Sequence, residues 1–439
     1  MTSVADVITR AVRLVSPTSA ETAKVIEVAK STLAKTVKAA SRHPETRGAV
    51  LGGSFAKGTW LPKHVDLDIF VKFDPATPPQ VFEKAALEIG ANATRGFPRG
   101  KMYAQHPYTE ATVDGIKVNI VPCFDVKKGE WKSAADRSPF HVDLIRGLPE
   151  AQKTQVRLLK TFMNAVGVYG AEIQRRGFSG YVAEVLVLKL GGFREVLEWF
   201  ADHELPESRP FTLPDPVDER RDLGIAVSGE SLGRMVLACR GFLSEPTLAS
   251  FQRMRGKTRF GLVKGVVAVV FSHVTLSEDT LWGELRRTTR HVVRNLELRG
   301  FVVARSMAAT DNRGKSAILL VPEFDNLPML EQRIGPTVDR KQDLESFLRS
   351  NAKESRLAWV DDDARVRILV PREYTEITRA ISDLVRGRVG PVGASKELEA
   401  GMKKSARVLS GESLKRAAAA SRWLQDGIRE ISTDAFGTS

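Results

Sequence analysis

A chain of 439 residues is too long for one typical core and leads us to expect about three modules. Its 42% hydrophobic and 27% charged residues describe a soluble globular protein, and with neither a bilayer-length apolar stretch nor a signal-peptide pattern in MTSVADVITRAVRLVSP, a cytoplasmic location away from membranes is expected. The net charge of +13 favours a polyanionic partner such as nucleic acid over a merely soluble basic surface, while two distant cysteines, Cys123 and Cys239, give no sign of a disulfide framework or a zinc site.

Residues 16–124 read as a helix followed by strands. Pro17 and the capping box Thr18-Ser19-Ala20-Glu21 open a helix that runs to about Ser41. Strand-type segments follow at 49–51 and 65–73, then as a pair around Val113 and 116–123, joined by Asp114-Gly115, a two-residue hairpin turn. Over 142–260 helical periodicity dominates, as in AQKTQVRLLKTFMNAVG and SLGRMVLACRGFLS. Beyond it, VKGVVAVVFSHV, a helix over 281–299 and SAILLVPEF give a β-α-β order compatible with a small α/β sandwich. The glycine-rich basic segment VRGRVGPVGASK leads to a last helical region ending near Ser432, and TDAFGTS is expected to fray.

Within LGGSFAKGTWLPKHVDLDIF (51–70), strand alternation puts Asp66, Asp68 and Phe70 on one face and Val65, Leu67, Ile69 and Val71 on the other. Two carboxylates side by side repel unless a cation neutralises them, and a hard divalent ion such as Mg²⁺ suits their oxygens. The turn Gly52-Gly53-Ser54 has the features of a phosphate cradle: glycine allows close approach, backbone N–H groups bind anions, Ser54 adds a hydroxyl, and Lys57 stands near in sequence. Either half alone is ordinary; the two together point to nucleotide chemistry.

This combination resembles the nucleotidyltransferases that share the polymerase β palm. Further blocks, MYAQHPYTE, VNIVPCF, DRSPFHVDLI, RLLKTFMNAVGVYGAE, RRGFSGYVAEVLV, DPVDERRDLGIAVS and IGPTVDRKQDLESFLRSN, resemble one branch in order, the archaeal-type (class I) CCA-adding enzymes. The resemblance implies a template-independent tRNA nucleotidyltransferase that builds or repairs the 3′ CCA from CTP and ATP with two Mg²⁺ ions. It implies an α+β, multidomain architecture: a palm with a mixed sheet at 1–141, a helical central domain at 142–260, and an α/β sandwich RNA-binding domain with a helical tail at 261–439.

Position by position, the resemblance makes Asp66 and Asp68 metal ligands, Gly53 and Ser54 the triphosphate turn, and His106 a neighbour of the phosphates. Ser138 and His141 would lie beside the nucleotide sugar, Lys160 and Tyr169 would hold the triphosphate, and Arg221 would read the base. Asn119 stands where the family has a third carboxylate. An amide can ligate metal but brings no charge and accepts no proton, so a slow enzyme with a raised metal requirement is expected.

RNA contacts are expected in the basic C-terminal half. Arg286, Arg290 and Arg294 recur every four residues on one helix face, and Arg386, Arg388, Lys396, Lys403, Lys404 and Arg407 are further candidates for gripping the acceptor stem and T arm of tRNA by shape. A solvated helix face explains the arginine stripe about as well. Another palm-sharing transferase, such as a poly(A) polymerase or an oligoadenylate synthetase, and a non-catalytic tRNA-binding relative are the rival readings; a homodimer is left open.

Overall fold

The computed structural model describes residues 3–62, 65–202, 211–252 and 265–432. The chain divides near residue 255 into two compact units.

The first unit starts with two helices that announce themselves by their caps. Ser3 and Thr18 each close a capping box at the start of α1 (Val4–Val15) and α2 (Ser19–Ala40). Then come β1 (Thr46–Gly52), the short α3 (Gly53–Lys57), β2 (Asp66–Phe73), α4 (Pro79–Ala93), β3 (Arg99–Tyr103), β4 (Pro107–Val113) and β5 (Ile116–Phe124). The sheet order is β1-β2-β5-β4-β3, with β2 and β5 parallel and the other neighbours antiparallel. Positive φ at Asp114 (50°) and Gly115 (81°) makes the β4–β5 connection the tight hairpin turn that this dipeptide favours. Leu67, Ile69, Val71, Phe73, Val118 and Ile120 are buried with apolar residues of α2 and α4, which leaves the alternate residues of β2 and β5 for the other face.

Helices α5 (Ser138–Arg146), α6 (Glu150–Val166), α7 (Gly180–Leu190), α8 (Phe193–Ala201) and α9 (Gly229–Ser244) follow. Their core is rich in edge-to-face aromatic contacts, Phe162 meeting Phe193 and Phe242 at 5.7 Å. Val7, Ala11 and Val15 of α1 join this helical core rather than the core under the sheet. Both cysteines are buried, Cys123 on β5 and Cys239 in α9.

The second unit holds β6 (Val267–Ser272), α10 (Glu278–Glu297), β7 (Val303–Thr310), β8 (Lys315–Pro322), β9 (Leu330–Thr337), α11 (Lys341–Asn351), β10 (Leu357–Val360), β11 (Arg365–Pro371), α12 (Ile377–Val385), α13 (Lys396–Ser405), β12 (Arg407–Ser410), α14 (Gly411–Ala419) and α15 (Arg422–Ile431). The sheet β12-β6-β8-β7 is antiparallel, so β6 and β7, joined by α10, run the same way with β8 between them. One apolar cluster joins this sheet to α10, α12 and α13, and another joins it to α14 and α15. A second sheet, β10-β11-β9, packs Val366, Ile368 and Val370 with Leu344 and Phe347 of α11. The helix expected at 281–299 begins earlier because Ser277 caps it. The segment TDAFGTS lies outside the described residues.

Candidate active site

Parallel pairing sets Asp66 opposite Lys117 and Asp68 opposite Asn119, on the face away from the apolar core. Asn119 Nδ2 donates to Asp68 Oδ1 at 2.9 Å. The amide's other atom, Asn119 Oδ1, is buried without a hydrogen-bond partner. An acceptor left unsatisfied in the interior costs about 1–3 kcal/mol, and such an atom calls for an explanation. Burial pushes the Asp68 carboxyl above its ordinary range, and Asn119, Lys57 and Lys117 only partly oppose that shift. Lys117 is itself tied to Glu110 at 2.7 Å. Among the described residues no three of His, Cys, Asp or Glu gather as a metal site, and the group facing Asp68 across the strand pair is the Asn119 amide.

The glycine turn is pressed against this pair. Gly53 has φ +61°, and a Cβ there would fall 1.9 Å from Asp68 Oδ2, so no other residue fits without moving the carboxylate. Ser54, half-buried, stands beside it in α3.

Lys57 does not stay at the surface. Its Nζ meets Glu184 Oε2 at 2.8 Å and lies over the Tyr181 ring, 4.8 Å from the centroid. Lys160 Nζ meets the other oxygen, Glu184 Oε1, at 2.7 Å. Thr59 Oγ1 donates to Glu184 Oε1 at 2.5 Å and accepts from Lys160 at 3.0 Å. Lys160 and Glu184 are each 1% exposed and Lys57 7%. Burial alone would raise the Glu184 carboxyl, but the two lysines hold it down to about 2. Tyr169 belongs to the same group: a Cβ on Gly180 would lie 2.9 Å from its hydroxyl and 3.6 Å from Lys160 Nζ. Burial pushes that phenol up, so it stays a donor near neutrality.

Tyr181 links this group to another. Its ring stacks on His141 at 3.8 Å, and its hydroxyl donates to Asp215 Oδ1 at 2.9 Å. Asp215, fully buried, also faces His141 Nε2 at 3.2 Å and takes Arg221 Nη1 at 3.2 Å. Burial lowers the His141 pKa more than Asp215 raises it, so the ring is neutral at pH 7. Burial acts to raise Asp215, yet His141, the Val217 N–H and Tyr181 outweigh it and hold the carboxylate well below its usual range. Ser138 is the first residue of α5, one turn before His141. Arg221 is 45% exposed at the edge of an open cleft of 880 Å³ lined by Lys128, Trp131, Arg137, Asp218 and Arg220.

His106 is not gathered with these groups. It sits 3.4 Å from Glu83 and edge-on to Phe82 and Phe124. Phe124 is five residues beyond Asn119 on β5, about 16 Å of strand. In the second unit Arg290, Arg294, Arg386, Arg388, Lys396, Lys403, Lys404 and Arg407 are exposed and Arg286 is half-buried, so the arginine stripe of α10 faces solvent over most of its length. Arg388 and Lys403 pair with Asp383 and Glu399. Sequence reasoning missed Glu184 and Asp215. The available signal for Glu184 was a single carboxylate inside the apolar run GYVAEVLVL.

Three family models match: a nucleotidyltransferase domain at residues 32–141, the second domain of tRNA nucleotidyltransferase at 154–252, and the C-terminal domain of the CCA-adding enzyme at 264–411. A CCA-adding enzyme of Pyrobaculum islandicum is 32% identical over 394 residues, covering 86% of this chain and 93% of that protein. Another, of Haloarcula marismortui, is 30% identical over 443 residues, covering 90% of this chain and 92% of its own.

Proposed function

The chain belongs to the CCA-adding enzymes, tRNA nucleotidyltransferases that work without a template on tRNA and nucleoside triphosphates, and from that premise we propose how its own residues divide the work. Asp66, Asp68 and Asn119 hold two Mg²⁺ ions. The observation that supports this is the buried, unpartnered Asn119 Oδ1 beside a carboxylate whose burial is incompletely compensated. Three oxygen donors suit a hard cation. When bound, such ions supply Lewis acidity toward the RNA 3′-hydroxyl and the departing pyrophosphate.

The remaining residues bind and orient. Gly53 keeps the backbone close to Asp68, and Ser54 offers a hydroxyl to the triphosphate. Lys160, Tyr169 and the buried Lys57 add positive charge and a hydroxyl donor to its phosphates, holding it in line for attack. His141, neutral and fixed by Asp215, faces the sugar with Ser138, while Arg221 reads the base from the rim of the cleft. His106 is left out of this assignment, given its place beside Glu83. The catalytic palm is taken as 1–141, the helical domain as 142–260, and the RNA-binding domain as 261–439, whose exposed basic residues would grip the acceptor stem and T arm.

The test is to incubate the protein with tRNA lacking CCA, labelled CTP and ATP, and Mg²⁺, and to resolve products at single nucleotides. Addition of C, C and A followed by arrest is expected, and a minihelix of acceptor stem plus T arm should be extended about as well as whole tRNA. An extended A tail, or strong dependence on the anticodon arm, would count against these assignments.

A further inference from the structure

We propose that Glu184 is a positioning residue for the nucleotide triphosphate: its buried carboxylate clamps Lys57 and Lys160, one oxygen each, and thereby fixes both ammonium groups and the neighbouring Tyr169 hydroxyl before a nucleotide arrives. The inference rests on the assignment of these residues to the triphosphate.

The two lysines come from different parts of the chain. Lys57 ends α3, directly after the glycine turn, and Lys160 lies in α6. Each is a long flexible side chain whose ordering carries an entropic cost. Glu184 removes that freedom in the folded protein through contacts of 2.8 Å to Lys57 and 2.7 Å to Lys160. Thr59 completes the arrangement, donating at 2.5 Å to the oxygen that Lys160 also uses. Tyr181 caps Lys57 on its ring face, and the Tyr169 hydroxyl lies on the side of Lys160 marked by Gly180.

Charge balance follows from the same contacts. Two ammonium groups and one carboxylate leave one positive charge in a nearly dry site, available to a polyanion. Without the carboxylate the two ammonium groups would face each other with no compensation, and one would turn away or lose its proton. A strut that merely joined α3 to α6 and α7 would affect tRNA and nucleotide handling alike. A positioning residue acts on the nucleotide.

Steady-state extension of tRNA lacking CCA distinguishes the two. In Glu184→Gln the KM for CTP and for ATP should rise about tenfold while kcat stays within about threefold and the KM for tRNA is unchanged. Thr59→Val, which removes one hydroxyl at nearly constant volume, should raise the nucleotide KM about threefold with the same split, and carries the test if Glu184→Gln does not fold. Nucleotide KM values within about twofold of wild type in the folded variants, or a parallel rise in the KM for tRNA, would overturn the proposal. A wild-type protein that extends no tRNA overturns the transferase reading beneath it, and is recognised before any variant is compared.

Discussion

The carboxylate end of β2 and β5 and the lysine group behind the glycine turn are built in opposite ways. At the first, the half-buried Asp68 keeps a raised pKa that its neighbours only partly oppose, and the Asn119 amide oxygen has no partner. At the second, every charge meets its complement within 3 Å. An incomplete polar site is kept for something that binds there, whereas a complete one holds its members still. The first should therefore be sensitive in activity and tolerant in stability, whereas the second should be sensitive in stability, its activity changing through nucleotide KM rather than kcat.

The sharpest test of that contrast is Asp66→Ala or Asp68→Ala. Nucleotide addition should fall at least about a thousandfold, roughly 4 kcal/mol of barrier, with tRNA binding and melting temperature hardly changed. Retained addition in either variant, measured by single-turnover extension, would remove the metal assignment. Glu184→Ala should behave in the opposite sense, losing about 3–5 kcal/mol of stability in urea unfolding because two buried cations lose their partner. Since the folded Glu184 pKa is depressed, to about 2, its stabilisation is complete above the unfolded value of about 4.3 and lost as pH falls through that window. The gap between wild type and variant should close over the same range.

A smaller effect is expected at Asn119. Asn119→Asp supplies the missing charge but deletes the donor to Asp68, so the melting temperature should drop in chelator and recover with Mg²⁺, and addition should speed up about tenfold at limiting metal. A slower variant would mean that another group already provides the charge. Least affected should be His106→Ala, with kcat/KM within about threefold of wild type, as its contacts are with Glu83, Phe82 and Phe124. A loss above about a hundredfold would restore His106 to the phosphates.

What could be read in advance followed local rules. The D-x-D alternation, the Thr18 cap and the Asp114-Gly115 turn depend on residues near each other in sequence, and the structure has all three. Lys57 was read only as a cation near the glycine turn in sequence, and its burial was not legible. Its partner Glu184 is 127 residues away, and only tertiary packing brings the two together. Asp215 escaped notice because DPVDERR reads as an exposed charged turn, although its first aspartate is fully buried. Of the sheet β10-β11-β9, β10 gave no early signal, since all four of its residues are exposed and it lacks the alternation that marks a half-buried strand. RVRILVP of β11 does alternate, with Val366, Ile368 and Val370 buried, and sequence reasoning passed over it.

The two cysteines have a practical consequence. Burial holds the Cys123 thiol up to about 12 and raises that of Cys239 as well, so neither presents a reactive thiolate to solvent at neutral pH. The native chain is therefore a dark background for maleimide chemistry. One engineered surface cysteine beside the exposed Arg290 would take a single dye without prior removal of natural thiols, and its fluorescence could follow tRNA arriving and leaving through successive additions.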